Sequence, residues 1–119
     1  MDNTFRKKER LCGQTGIARL LAQGRHGAVS GMKYCYAPGS GEEVNRILIS
    51  VPKKLFRRAV KRNLLKRRIR EAYRTRKTLL PGGGTDLMFV YATKELLSYS
   101  EICDRVEEIL RAVAGRTAS

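Results

Sequence analysis

The chain has 119 residues, 42% of them hydrophobic, which suits one domain with its own core and no need of disulfides or a structural metal. Twenty-five Lys and Arg against eleven Asp and Glu leave a net charge of +14. An ordinary soluble enzyme gains nothing from that self-repulsion, whereas a polyanionic partner relieves it.

Met1 to Arg10 is polar and reads as no secretory signal. Ile17, Leu20 and Leu21 then recur at helical spacing, with Thr15 as a possible cap and Gly24 as a stop, predicting a short amphipathic helix over 16–23. Met32, Tyr34 and Tyr36 alternate with Lys33 and Cys35, the pattern of a strand. Pro38 to Glu43 is a turn or mobile loop. The apolar run Arg46 to Val51 predicts a second, more deeply buried strand, and the short connection predicts a hairpin between the two. Pro52 ends that strand, and a basic segment runs from Lys53 to Thr78. Pro81 to Thr85 breaks the chain again, and Asp86 to Ala92 reads as a third strand. Ser98 and Glu101 have capping-box spacing and open a helix whose apolar stripe is Ile102, Val106, Ile109, Leu110 and Val113. Residues 1–4 and the tail from Gly115 are expected to be disordered. The order of helix, two or three strands, helix, strand and helix predicts a single α+β domain over 1–119, a mixed α/β sandwich with one small sheet.

Nucleic acid and an anionic membrane are the two polyanions that such a charge suits. No apolar run nears the ~20 residues of a membrane span; Trp is absent and aromatics are 7%, so a membrane-surface role ranks below nucleic acid. Cys12, Cys35 and Cys103 are odd in number and widely spaced, which argues against a disulfide framework or zinc site and for plain thiols in a reducing cytoplasm. His26 is the only histidine, so no histidine-based triad can be assembled. Asp86 at a strand start reads as a cap or turn residue, and Glu71 as the ion-pair partner of an arginine.

The charge is focused. Residues 53–78 hold thirteen Lys and Arg against the single acid Glu71, a local balance of +12. At about 100° per residue, Leu65, Ile69, Ala72 and Tyr73 share one stripe that should pack on the sheet, and Leu79 and Leu80 extend it. Asn63, Lys66, Arg67, Arg70, Arg74 and Lys77 fall opposite. Like charges one turn apart repel, and a line of phosphates would relieve them. Arg offers a planar fork for phosphate oxygens and Lys a mobile point charge. Asn63 adds a donor and an acceptor for a 2′-hydroxyl or base edge.

The segment Ala59-Val-Lys-Arg-Asn-Leu-Leu-Lys-Arg-Arg-Ile-Arg-Glu71 resembles the signature helix of the bacterial ribonuclease P protein family, which carries an R-N-R-x-K-R-x-x-R-like pattern there. Phe5 to Leu11, Ile17 to Gly24, Arg46 to Lys54 and Asp86 to Tyr91 are similar to that family's N-terminal entry, first helix, strand before the signature and last strand. The resemblance spans roughly residues 5 to 112. It implies three helices on a mixed four-stranded sheet with a left-handed β-α-β crossover, the ribosomal protein S5 domain 2-like fold, whereas topology alone favours the right-handed form. It implies a cytoplasmic subunit, with no obligate protein partner, that binds ribonuclease P RNA and precursor tRNA and assists removal of the 5′ leader. The active site would lie in the RNA, with Mg2+ bound mainly by that RNA activating the attacking water. It assigns RNA contacts to Arg57, Arg58, Lys61, Arg62, Asn63, Lys66, Arg67, Arg68, Arg70 and Arg74. The second arginine of the family's R-N-R is Leu64 here, which puts one contact in doubt.

The family also binds the single-stranded leader between its sheet and first helix, on a surface often lined by aromatic residues, as suits unpaired bases. The matching helix positions, Ile17 and Leu21, are aliphatic. Tyr34, Tyr36, Phe89 and Tyr91 are the aromatic candidates on strands, where one face is core, and Lys53 and Lys54 are the candidates for phosphate. A structural RNA-binding protein of ribosomal type is the competing reading.

Overall fold

The computed structural model describes residues 9–11, 14–80 and 82–117. The elements are α1 (Gln14–Gln23), β1 (Arg25–Val29), β2 (Met32–Ala37), β3 (Arg46–Ser50), α2 (Ala59–Arg76) followed by a 3₁₀ turn (Lys77–Leu79), β4 (Asp86–Tyr91) and α3 (Tyr99–Thr117). The strands form one mixed sheet in the order β1-β2-β4-β3. β2 is antiparallel to both β1 and β4, and β3 is parallel to β4.

Period-two alternation sends the side chains of each strand to two different layers. Met32, Tyr34 and Tyr36 of β2, Ile47 of β3 and Leu87, Phe89 and Tyr91 of β4 pack with Leu65, Ile69, Ala72 and Tyr73 of α2 and with Ile102, Val106, Ile109, Leu110 and Val113 of α3. On the other face Cys35, Ala37, Leu48 and Met88 meet Leu11, Ile17 and Leu20. The larger core therefore lies beneath α2 and α3, and α1 covers part of the opposite face.

Two expectations about pairing fail. The partner of β2 in a hairpin is β1, not β3. Ser30 and Gly31 make the two-residue connection, and Gly31 supplies a φ of 80° that L side chains rarely adopt. β1 escapes a pattern search because it is an edge strand whose residues are largely exposed. β3 is likewise an edge strand and only Ile47 of it is fully buried, so its apolar run reflects half-covered residues on both faces and not a central position.

The ends also differ from the sequence reading. α1 starts at Gln14, which puts Thr15 inside the first turn, and α3 continues through Gly115 to Thr117. Gly24 does stop α1: its N–H donates to the Leu20 carbonyl at 2.8 Å, and a Cβ there would collide with that carbonyl and with the Cys35 sulfur. The Ser98 box forms as predicted, with Glu101 N–H donating to Ser98 Oγ and Ser98 N–H to Glu101 Oε1. Cys35 and Cys103 are buried free thiols, and burial pushes the Cys35 thiol above its ordinary value; Cys12 lies outside the described residues. No described helix is long and apolar enough to cross a membrane.

Candidate nucleic-acid interface

α2 meets the phase predicted for it: its buried residues are Leu65, Ile69, Ala72 and Tyr73. The aromatic ring of Tyr73 lies 6.3 Å from that of Phe89. Burial, with the Glu9 carboxylate adding to it, pushes the Tyr73 phenol far above its usual range, so this side of the helix is a neutral, dry anchor. Leu80 is buried and Leu79 partly so, extending the stripe.

The cations around this anchor divide into two groups. Arg62 Nη1 donates to the carbonyls of Phe56 and Arg57 at 2.7 and 2.8 Å, closing the loop that leads into the helix. Arg68 Nη1 donates to the Leu97 carbonyl at 2.7 Å, holding the segment before α3. Arg74 forms two hydrogen bonds with Glu71, and they hold the Glu71 carboxyl below the usual carboxylate range. Arg76 approaches Glu107 at 4.0 Å. Lys77, placed by its spacing among the solvent-facing cations, instead donates to the buried Glu9 at 2.9 Å. These five have work inside the fold.

Lys53, Lys54, Arg57, Arg58, Lys61, Arg67 and Arg70 are exposed, and Lys66 is half-buried. None of the eight forms an ion pair among the described residues. Asn63 is exposed beside them. Lys61, Asn63, Arg67 and Arg70 of α2, with Arg57 and Arg58 just before it, thus turn to solvent with the half-buried Lys66 beside them, while Arg62, Arg68 and Arg74 double as structural ties. Lys66 and Arg70 also line a pocket at the β3 edge with Arg10, Leu11, Ile47, Leu48 and Ile49. Arg10 pairs in parallel with Ile47, and Leu11 N–H donates to the Ile47 carbonyl at 2.8 Å. The basic surface therefore continues round the edge of the sheet toward the face that carries α1.

That face is not aromatic. Tyr34, Tyr36, Phe89 and Tyr91 are 5%, 1%, 0% and 0% exposed and all point to the opposite layer, under α2 and α3. Their expected role in a cleft beside α1 is corrected on this ground. Tyr91 has a core function: its hydroxyl donates to the Glu95 carbonyl and accepts from Leu97 N–H. The residues that do meet below α1 are Ile17, Leu48 and Met88, all half-buried. Leu21 is 54% exposed and stands off from that cluster. Lys54 lines a pocket with Lys33, Pro52, Leu55 and Val90 at one end of the sheet; Lys53 is exposed next to it. Sequence reasoning missed Leu48, Met88, Val90, Lys33 and Arg10. The first four were legible as the other phase of the strands.

Asp86 fixes α1 over this face. It is fully buried, and Arg46 grips it with two hydrogen bonds of 2.8 and 2.9 Å. Arg19 on α1 adds a third at 3.2 Å and reaches the Pro38 carbonyl with its other nitrogen. With two guanidinium groups on it, Asp86 is an electrostatic hub of the fold and not the cap or turn residue expected from the sequence.

A small α/β sandwich that anchors a basic helix by one side and turns seven cations to solvent, with Lys66 half-buried beside them, has the form of a nucleic-acid-binding domain. The family model described as Ribonuclease P matches residues 5–114. The ribonuclease P protein component of Petrotoga mobilis (strain DSM 10674 / SJ95) is 37% identical over 114 residues, covering 91% of this chain and 93% of that one. That of Porphyromonas gingivalis (strain ATCC BAA-308 / W83) is 34% identical, covering 95% and 88%. The fold matches the Staphylococcus aureus RNase P protein at a TM-score of 0.77 and 24% identity, covering 88% of this chain and 94% of that one. The Thermotoga maritima RNase P protein gives 0.76 at 22% identity, with 87% and 96% covered. The chain belongs to the ribonuclease P protein family.

Proposed function

We propose that the chain binds the catalytic RNA of ribonuclease P together with the 5′ leader of precursor tRNA, and that it assists endonucleolytic removal of the leader while the active site lies in the RNA. The observation that carries this reading is the set of cations on and just before α2 that form no ion pair among the described residues. Phosphates supply the missing partners, and each neutralised phosphate releases counterions, so binding weakens steeply with salt. The aliphatic surface of Ile17, Leu48 and Met88, flanked by Lys33 and Lys54, takes the leader. Apolar contact with unpaired bases and point charges on their phosphates serve a strand of any sequence.

Magnesium held mainly by the RNA would supply the activated water. Among the described residues no group of three His, Cys, Asp or Glu side chains is placed to hold a metal ion. The protein's own part is to screen phosphates and hold the leader.

The test is reconstitution of a bacterial ribonuclease P RNA with precursor tRNA at low magnesium, with and without this chain. Added protein should lower the magnesium requirement and tighten substrate binding. The protein alone should leave precursor tRNA intact; RNA-independent cleavage at the mature 5′ end would overturn the division of labour. Co-sedimentation with a ribosomal subunit and no effect on leader removal would favour the ribosomal alternative.

A further inference from the structure

Most of the solvent side of α2 is charged, but its first two turns also carry two apolar residues among their cations, Val60 and Leu64. Val60 is 79% exposed, more than any other large apolar residue among those described, and Leu64 one turn later is partly exposed. At about 100° per residue they lie within about 40° of each other, Val60 roughly opposite the buried stripe of Leu65, Ile69, Ala72 and Tyr73 and Leu64 on its flank. With Asn63 and Arg67 they line a shallow pocket. Lys61 and Arg68 border the ridge on its other side, and Glu71 is the first acid along the helix. A single exposed apolar residue needs no explanation, but two adjacent ones framed by cations and an amide define a surface with mixed chemistry.

We infer that Val60 and Leu64 form a seat for one unstacked nucleotide of the partner RNA. The base lies against the two aliphatic side chains, its phosphate is met by Arg67 or Lys61, and the Asn63 amide, both donor and acceptor, reaches a base edge or 2′-hydroxyl. The cationic rim selects this occupant. A second copy of so basic a chain would be repelled, and a protein helix offering only an apolar stripe would leave the cations unmatched. An RNA nucleotide offers the flat apolar face and the anion together. This inference rests on the RNA-binding reading above.

The test is equilibrium binding to ribonuclease P RNA across a salt series, with wild-type protein, Val60→Ser, Leu64→Ser, the double variant and Arg67→Ala. The double variant should bind about tenfold more weakly, as removing a modest apolar contact area implies, with the slope of log affinity against log salt unchanged because no cation is lost. Arg67→Ala should flatten that slope by roughly one phosphate contact. The Val60→Ser variant, altered at a largely solvated position, guards against an effect on folding. Wild-type affinity and slope retained in the double variant would sink the inference while leaving the RNA-binding reading intact; failure of the wild type to bind would sink that reading first. Loss of self-association in sedimentation, or of binding to anionic vesicles, with RNA affinity unchanged would assign the ridge to a second copy or a membrane and overturn the inference.

Discussion

Arg62, Arg67 and Arg68 carry the same charge within seven positions, yet of the three only Arg67 is exposed and makes no hydrogen bond to another segment among the described residues. Arg62 ties two loop carbonyls and Arg68 ties the Leu97 carbonyl. Hydrogen bonds from a charged donor contribute about 1.5–3 kcal/mol each when formed, less where water competes. Arg62→Ala and Arg68→Ala should therefore lower stability by about 1–2 kcal/mol in urea unfolding, and Arg67→Ala should leave it within about 0.5 kcal/mol. Equal stability in all three would remove the distinction between ties and free cations. Asp86 is the larger case. Asp86→Asn keeps the shape but removes the charge that holds Arg46 and Arg19. Those arginines are 21% and 27% exposed and regain some hydration, so the loss should fall near 2–3 kcal/mol, below the value for a pair left fully buried. Arg19→Ala should cost about 1 kcal/mol and loosen α1, read as faster amide exchange in that helix.

Elements built on side-chain period were legible in the sequence, and strand pairing was not. The stripes of α2 and α3 and the Ser98 box were fixed by local spacing, and all formed. The pairing of β2 with β1 depended on a two-residue turn in a polar, glycine-containing segment, and that of β3 with β4 on a parallel crossover, neither of which leaves a hydrophobic period. The candidate site divides the same way. The cation row followed from the phase of α2, but the fold's own use of Arg62, Arg68 and Lys77 depends on carbonyls and an acid from distant segments. The four strand aromatics were ambiguous because one period fits either face until a helix is assigned to it. Phasing gives its own test. Leu65→Ala and Ile69→Ala, both fully buried, should each lose about 2–5 kcal/mol of stability, while Lys66→Ala and Arg70→Ala should weaken RNA binding and keep the fold. Ser98→Ala should cost about 1 kcal/mol through the lost cap, checked by the unfolding midpoint.

At the scale of the molecule, one arrangement of charge sets two opposite responses to salt. Lys66, Arg70 and Arg74 follow one another at single-turn intervals, and five cations are packed into residues 66–70 and 74 with Glu71 as the only acid among them. Such like-charge neighbours destabilise a free helix, and the whole chain at +14 repels itself. Ions screen these exposed charges within about 10 Å at 0.1 M salt. The isolated protein should therefore become more stable as sodium chloride rises from 10 to several hundred millimolar, seen as a rising unfolding midpoint. Its affinity for RNA should fall over the same range, because the counterions displaced on binding are then harder to release. Replacing Lys66, Arg67 and Arg70 together by Ala should blunt both trends: the salt-induced gain in stability should shrink, and the binding slope should flatten by roughly 2–3. If only the binding trend changed, the row would be an RNA contact without being a source of repulsion in the free fold. If both persisted undiminished, the excess charge that governs this protein would have to lie elsewhere on its surface.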